Sequence, residues 1–355
     1  MNNRERGERI RLQILRDVIH HTSDISRHIG SIFSISPQAV NNHIRRLEND
    51  GWLASSGTGK GKRYFLGDLR KYHSYFPFRN DLAEDQIWRS HYSFIFEGLP
   101  ENIVDICQYG FTEMVNNAID HSGGEGVYVS VERNSQSIIL CVIDDGEGIF
   151  RRIKRLCGLP DERQAILELS KGKLTTDPDR HTGEGIFFTS RAFDQFEIDS
   201  MGLTFSHNDD FDYDFLNESE IPAENVGTLV YMSIQRESER TIQEEFNKFT
   251  AGPDEFQFNK TVIPVRLAQY ENEKLVSRSQ AKRMLTRIER FENVIFDFEG
   301  VIAIGQAFAD EIFRVYAYMH PEIALAPVNM KDNVSKMVMK ATSALIEQLK
   351  NKNKE

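Results

Sequence analysis

The chain has 355 residues, 40% of them hydrophobic, and a formal net charge of −11. That length exceeds one ordinary core, so two or three domains are expected, and the negative sum excludes a protein that coats nucleic acid along its whole surface. The charge is uneven: residues 1–71 hold 13 Lys and Arg against 7 Asp and Glu, while the remainder holds 30 against 47, so one end is suited to an anionic partner.

Cys107, Cys141 and Cys157 fit no metal-ligand spacing and are expected as buried free thiols in a reducing compartment. The longest apolar run, residues 137–143, is too short for a bilayer, and no charged-then-apolar leader opens the chain. A cytoplasmic protein with no membrane partner is expected.

Residues 1–70 predict three helices and a hairpin. Ile10, Ile14, Leu15 and Val18 recur at helical spacing, as do Ile25, Ile29, Ile32 and Phe33. The third helix has an N-cap in Ser36, a first-position proline in Pro37, a stripe of Val40, Ile44 and Leu47, and a stop at Gly51. "WLASSGTGKGKRYFLG" follows, a strand, a basic glycine-rich tip and a second strand. The tip is no P-loop, because Lys60 precedes Gly61 and Lys62 precedes Arg63 where a magnesium-binding hydroxyl is required.

Three short helices and a basic hairpin resemble a winged helix-turn-helix with residues 57–62 as the wing tip. The resemblance implies double-stranded DNA as partner. Gln38, Asn41, Asn42 and Arg45, off the apolar stripe of the third helix, are residue types that read bases or phosphates. Lys60, Lys62 and Arg63 would contact backbone phosphates without reading sequence. A small protein-interaction module with a solvated polar face is the alternative, and the local positive charge weighs against it. Residues 71–85 are expected as a connector whose Tyr72, Tyr75, Phe76 and Phe78 pack between domains.

Residues 86–250 mix helix and strand. Phe111, Met114, Val115, Ala118 and Ile119 form one helical stripe, and Glu113, Asn117 and His121, spaced by four, share another face. A strand with Val127, Val129 and Val131 follows, then an apolar run entering a loop with Asp144, Gly146 and Gly148. A carboxylate there can accept from an exocyclic amine, and glycines let a flat base approach the backbone. Gly183 and Gly185 precede a helix, whose first amides suit phosphate. Gly227 and Thr228 lead into the last strand.

The order Glu-x-x-x-Asn, Asp-x-Gly-x-Gly, Gly-x-Gly, Gly-Thr resembles the GHKL superfamily of Bergerat-fold ATP-binding proteins, nearest its anti-sigma-factor serine kinases through "NNAIDHS". The resemblance implies ATP and Mg2+ as cofactors. By it, Glu113 is the general base or structures the magnesium water shell, Asn117 is the metal ligand, and Asp144 reads adenine. Gly146 and Gly148 lie along the nucleotide, Thr182, Gly183 and Gly185 form a phosphate lid, and Thr228 assists at adenine. No lysine of the family is identifiable by spacing; Lys171, Lys173 and Arg180 are candidates by proximity.

Residues 258–350 alternate strand and helix, which predicts an open α/β sheet. "SRSQAKRML" with "VIFDFEGVIAIGQAFADEIF" resembles the STAS-like domains found behind bacterial GHKL ATPases. Where anti-anti-sigma factors carry a phosphorylatable serine, this chain has Gly305, Gln306 and Ala307, so a docking or dimerisation module is expected, with Asp310 and Glu311 able to face a partner.

The fold class expected is therefore multidomain α/β: a winged helix, a Bergerat-type sandwich and a small STAS-like domain. The function expected is that of an ATP-responsive, DNA-binding regulator of transcription, with slow ATP turnover open. The alternatives are a serine kinase acting on a separate partner and a DNA-stimulated ATPase of defence or repair.

Overall fold

The computed structural model describes residues 3–79, 82–174, 183–208, 214–219, 227–250, 258–269 and 274–352. The chain is a multidomain α/β protein. Helices α1 (Asn3–Asp17), α2 (Ile25–Phe33) and α3 (Pro37–Asn49) precede a hairpin of β1 (Leu53–Ser56) and β2 (Arg63–Leu66). Ile10, Ile14, Val18, Ile25, Ile29, Val40, Ile44, Leu47 and Leu53 close a shared core. Ser36 Oγ accepts from Ala39 N at 3.2 Å, fixing where α3 begins. Ile32, expected on the buried stripe of α2, instead faces solvent at 51% exposure; it lies on the last turn, where Ser34 already turns left-handed.

The central unit begins earlier than the sequence suggests. The expected connector contains β3 (Arg70–Pro77), an edge strand antiparallel to β4 (Gly126–Arg133). Its alternation buries Phe76 while Tyr75 stays exposed, so these aromatics cover one sheet rather than fill a gap between domains. Helix α4 (Glu84–Ile87) runs through a π turn at Trp88–Tyr92 toward α5 (Glu101–His121). The remaining elements are β5 (Ser137–Asp144), α6 (Ile149–Cys157), α7 (Glu162–Lys171), α8 (Gly185–Ala192), β6 (Gln195–Ser200), β7 (Leu203–Asn208), β8 (Phe215–Glu218), β9 (Leu229–Gln235) and α9 (Ile242–Lys248).

The sheet order is β3-β4-β5-β9-β6-β7-β8, with every pairing antiparallel. Val127, Val129, Val131, Leu140, Val142, Ile198, Val230 and Met232 make one buried face, and α5 lays Phe111, Met114, Val115 and Ala118 on that side. Two layers result, with the polar side of α5 free to line a cleft.

The C-terminal unit alternates β10 (Lys260–Pro264), α10 (Arg278–Leu285), β11 (Asn293–Asp297), α11 (Gln306–Asp310) continuing through a π turn into α12 (Ala317–Met319), β12 (Ala324–Val328) and α13 (Asp332–Lys352). Its three strands are parallel in the order β10-β11-β12, as crossover helices require. Among the described residues no helix is long and apolar enough to cross a membrane.

Candidate functional site

The apolar stripe of α5 is pinned to the sheet, and Glu113, Asn117 and His121 share the face beside it, where Met114 and Ala118 of the stripe join them around one space. At the end of β5, Asp144 Oδ1 accepts from Gly146 N at 2.9 Å, and Asp144 N donates to Thr228 O at 3.0 Å. The Thr228 hydroxyl accepts from Ile149 N at 3.0 Å, capping α6. Gly227 makes this junction possible: its φ is +106°, and a Cβ there would stand 2.1 Å from Asp144 O.

These groups meet at one cavity of about 380 Å³. Glu113, Asn117, Asp144, Gly148, Gly183, Gly185 and Thr228 all line it. Val142, Ile149, Ile153, Ile198 and Val230 add apolar walls. Gly185 opens α8 directly against Glu113, where a Cβ would lie 1.8 Å from Glu113 Oε2. In this arrangement the Glu113 carboxylate occupies the space that a side chain at position 185 would take beside the first turn of α8.

One expected residue falls elsewhere, and one is not described. Gly146 is not part of the lining; a Cβ on it would stand 2.1 Å from Ser122 O, so it lets the loop after β5 pass beneath the end of α5. Thr182 lies outside the described residues, as does Arg180.

The phosphate-contact candidates Lys171 and Lys173 turn away from the cavity. Lys171 is 1% exposed, with Nζ 2.7 Å from Glu168 Oε1 and 2.8 Å from Thr286 O. Lys173 Nζ donates to Arg290 O at 3.0 Å and lies 4.9 Å from the Phe291 ring centre. Both cations are bound to the C-terminal unit, and for the enclosed Lys171 burial demands hydrogen-bond partners for the ammonium.

Pattern reading missed Arg152, which joins the lining one turn beyond Gly148 and is held by Glu147 at 2.9 Å. The i, i+3, i+4 spacing of Ile149, Arg152 and Ile153 was the available signal. Burial pushes the Asp144 carboxyl above its usual range, opposed by hydrogen bonds from Gly146 and Thr228. A buried carboxylate beside apolar walls is a strong acceptor for a donor on a flat ligand.

On the N-terminal unit, Gln38, Asn42, Arg45 and Arg63 are exposed, whereas Asn41 is half-buried and accepts from Ser26 Oγ at 2.6 Å. Lys62 Nζ rests on Glu48 Oε1 at 3.0 Å, which ties the hairpin to α3. The Lys60 side chain lies outside the described residues. Asp310 and Glu311, expected to face a partner, are engaged within the chain: Asp310 with Arg314, Glu311 with Arg278 and Lys282 at 3.8 Å each.

Of the three cysteines, all free, Cys107 is buried, while Cys141 and Cys157 are partly exposed and Cys157 Sγ accepts from Arg287 at 3.1 Å. No curated protein matches the chain. Residues 280–335, from α10 into α13, match the family described as a STAS-like domain of unknown function (DUF4325), and the C-terminal unit thus carries a STAS-like domain.

Proposed function

We propose that the central unit binds Mg-ATP in the manner of a Bergerat fold and that the chain is an ATP-responsive, DNA-binding regulator. One observation carries the reading: a carboxylate and an amide from α5, a buried carboxylate from the end of β5, glycines ahead of α8 and a threonine ahead of β9 face one cavity.

The residues present fit the nucleotide. Asp144 offers a buried acceptor for the exocyclic amine, and Gly148 leaves the base room against the backbone. Val142, Ile153, Ile198 and Val230 bury the ring faces. Glu113 and Asn117 present oxygens suited to a hard cation or its water shell. The amides at the start of α8 point where phosphate is favoured. When bound, magnesium would neutralise phosphate charge that neither Lys171 nor Lys173 is free to meet. Glu113, against the first turn of α8, is the group positioned to orient a water or accept a proton.

The N-terminal unit binds duplex DNA in this reading, α3 presenting Gln38, Asn42 and Arg45 and the hairpin presenting Arg63. Control requires that ATP bind two arrangements of the domains unequally, since equal affinity shifts nothing. The STAS-like domain serves assembly with a second copy or a protein partner.

Titration calorimetry of the full chain with ATP and magnesium tests the site. Asp144→Asn replaces one acceptor oxygen with a donor and should weaken binding about tenfold to a hundredfold. Unchanged affinity in that variant sinks the adenine assignment. Gly185→Ala should weaken the magnesium-dependent part of binding, because the added methyl displaces Glu113.

A further inference from the structure

The wall of the cavity and the STAS-like domain are joined by buried contacts that ATP binding alone does not require. Leu169 and Leu174 line the cavity at the end of α7. Between them, Lys171 is fully enclosed with its partner Glu168, each side chain 2% exposed. The Lys171 ammonium donates to Thr286 O, the carbonyl end of α10, at 2.8 Å, and Thr261 Oγ1 on β10 donates to Lys171 O at 2.6 Å. Gln164 Nε2 extends the network, donating to Glu168 Oε1 at 3.1 Å and to Arg283 O at 3.2 Å.

Two further links run in parallel. Lys173 and Arg290 exchange hydrogen bonds, each side chain donating to the other residue's carbonyl, at 3.0 and 2.7 Å. Phe187, which lines the cavity from α8, lies 4.7 Å ring to ring from Phe258, and Phe258 lies 5.3 Å from Phe291. Close-packed aromatic and polar contacts of this kind transmit displacement because they have few intermediate arrangements.

We propose that the Glu168–Lys171 pair, with Gln164 and Thr261, couples occupancy of the cavity to the docking of the STAS-like domain, so that this domain regulates the nucleotide site and senses it in turn. The inference rests on the ATP reading. A ligand that moves Leu169, Leu174 or Phe187 must move the groups that hold α10 and β10, and the coupling is reciprocal: loosening the domain weakens the ligand by the same factor. Lys171 is here a positioning residue, since its ammonium faces α10 and not the cavity.

Amide hydrogen exchange of the full wild-type chain, with and without saturating ATP and magnesium, is the test. ATP should slow exchange in residues 283–288 and 260–264, outside the cavity, by about fivefold or more. Thr261→Val, which removes one link without burying a charge, should reduce that distant protection while leaving protection of α5 in place. A chain that binds ATP and protects α5 and α6, with exchange in 260–264 and 283–288 unchanged, overturns the coupling alone. A chain that binds no ATP removes the nucleotide reading and this inference with it. The two failures are distinguished in one experiment.

Discussion

The central unit is joined to its neighbours at two seams, and both rely on a buried cation that donates to main-chain carbonyls. At the N-terminal seam Arg70, the first residue of β3, donates through Nε to Gly67 O just after β2 at 3.0 Å, while its Nη1 holds Phe94 O, Ile95 O and Glu97 O of the central unit itself between 2.9 and 3.2 Å. Arg16 adds a contact from α1 to His91 at 3.1 Å. At the C-terminal seam Lys171 reaches Thr286 O. The difference lies in location. None of the residues lining the cavity comes from β3, β4 or the segment Trp88–Phe96, whereas Leu169, Leu174 and Phe187 belong to the C-terminal seam or touch it. Only one seam is therefore placed to feel a ligand. In the proposed regulator, ATP would reach DNA binding through assembly by the STAS-like domain rather than by bending the N-terminal joint.

The largest effect should come from the C-terminal seam. Lys171→Met leaves Glu168 buried without its cation and should cost about 3–5 kcal/mol, read as a lowered midpoint in denaturant. Pairing it with Glu168→Leu should recover most of that loss, since both charges then disappear together. If the double variant is as unstable as the single one, the cost lies in packing and not in charge.

Next comes the other seam. Arg70→Met removes charge-assisted bonds to four carbonyls and should cost about 2–3 kcal/mol, yet leave ATP affinity at the wild-type value. An equal loss of ATP affinity in Arg70→Met and Lys171→Met would erase the distinction between the seams.

A network belonging to neither seam provides the internal reference. Burial opposes ionisation of Asp214, but the Arg191 guanidinium and His207 outweigh it and hold its carboxyl down to about 2. A depressed carboxyl contributes stability that is present above its unfolded value and lost as pH falls from about 4 toward 2. Asp214→Asn should flatten that acid limb in a pH series of thermal midpoints. A limb of unchanged slope would mean that other groups dominate it.

The smallest expected effect concerns DNA. Arg63→Ala should lower affinity for all duplexes alike and reduce the salt slope by about 1. Lys62→Ala should do less, because Lys62 is already neutralised by Glu48. A larger loss for Lys62 would show that the ion pair opens on binding.

Much of the architecture was legible in the chain. The α3 boundaries followed from Ser36, Pro37 and the stripe of Val40, Ile44 and Leu47, because capping and helical periodicity act within a few residues. The candidate cavity residues were found as four spaced motifs. Arg152 was missed because its spacing to Ile149 and Ile153 had to be picked out from a short helix that also carries Arg151, Lys154 and Arg155, and β3 was hidden because its aromatic, basic stretch does not announce which strand it will pair with.

The direction of side chains at the seams was beyond reach. Lys171 and Lys173 lie close in sequence to the glycines of the expected lid, and proximity suggested phosphate. Lys171 meets Glu168 one turn back on its own helix, but the carbonyls to which Lys171 and Lys173 donate lie more than a hundred residues later in the chain, at Thr286 and Arg290. Composition, spacing and local capping determined that this protein is a basic helical end, a mixed central unit and an alternating C-terminal one. Tertiary structure alone decided which cations face the cavity and which bind the next domain, because burying an ammonium is tolerable only where distant carbonyls and a carboxylate arrive to meet it.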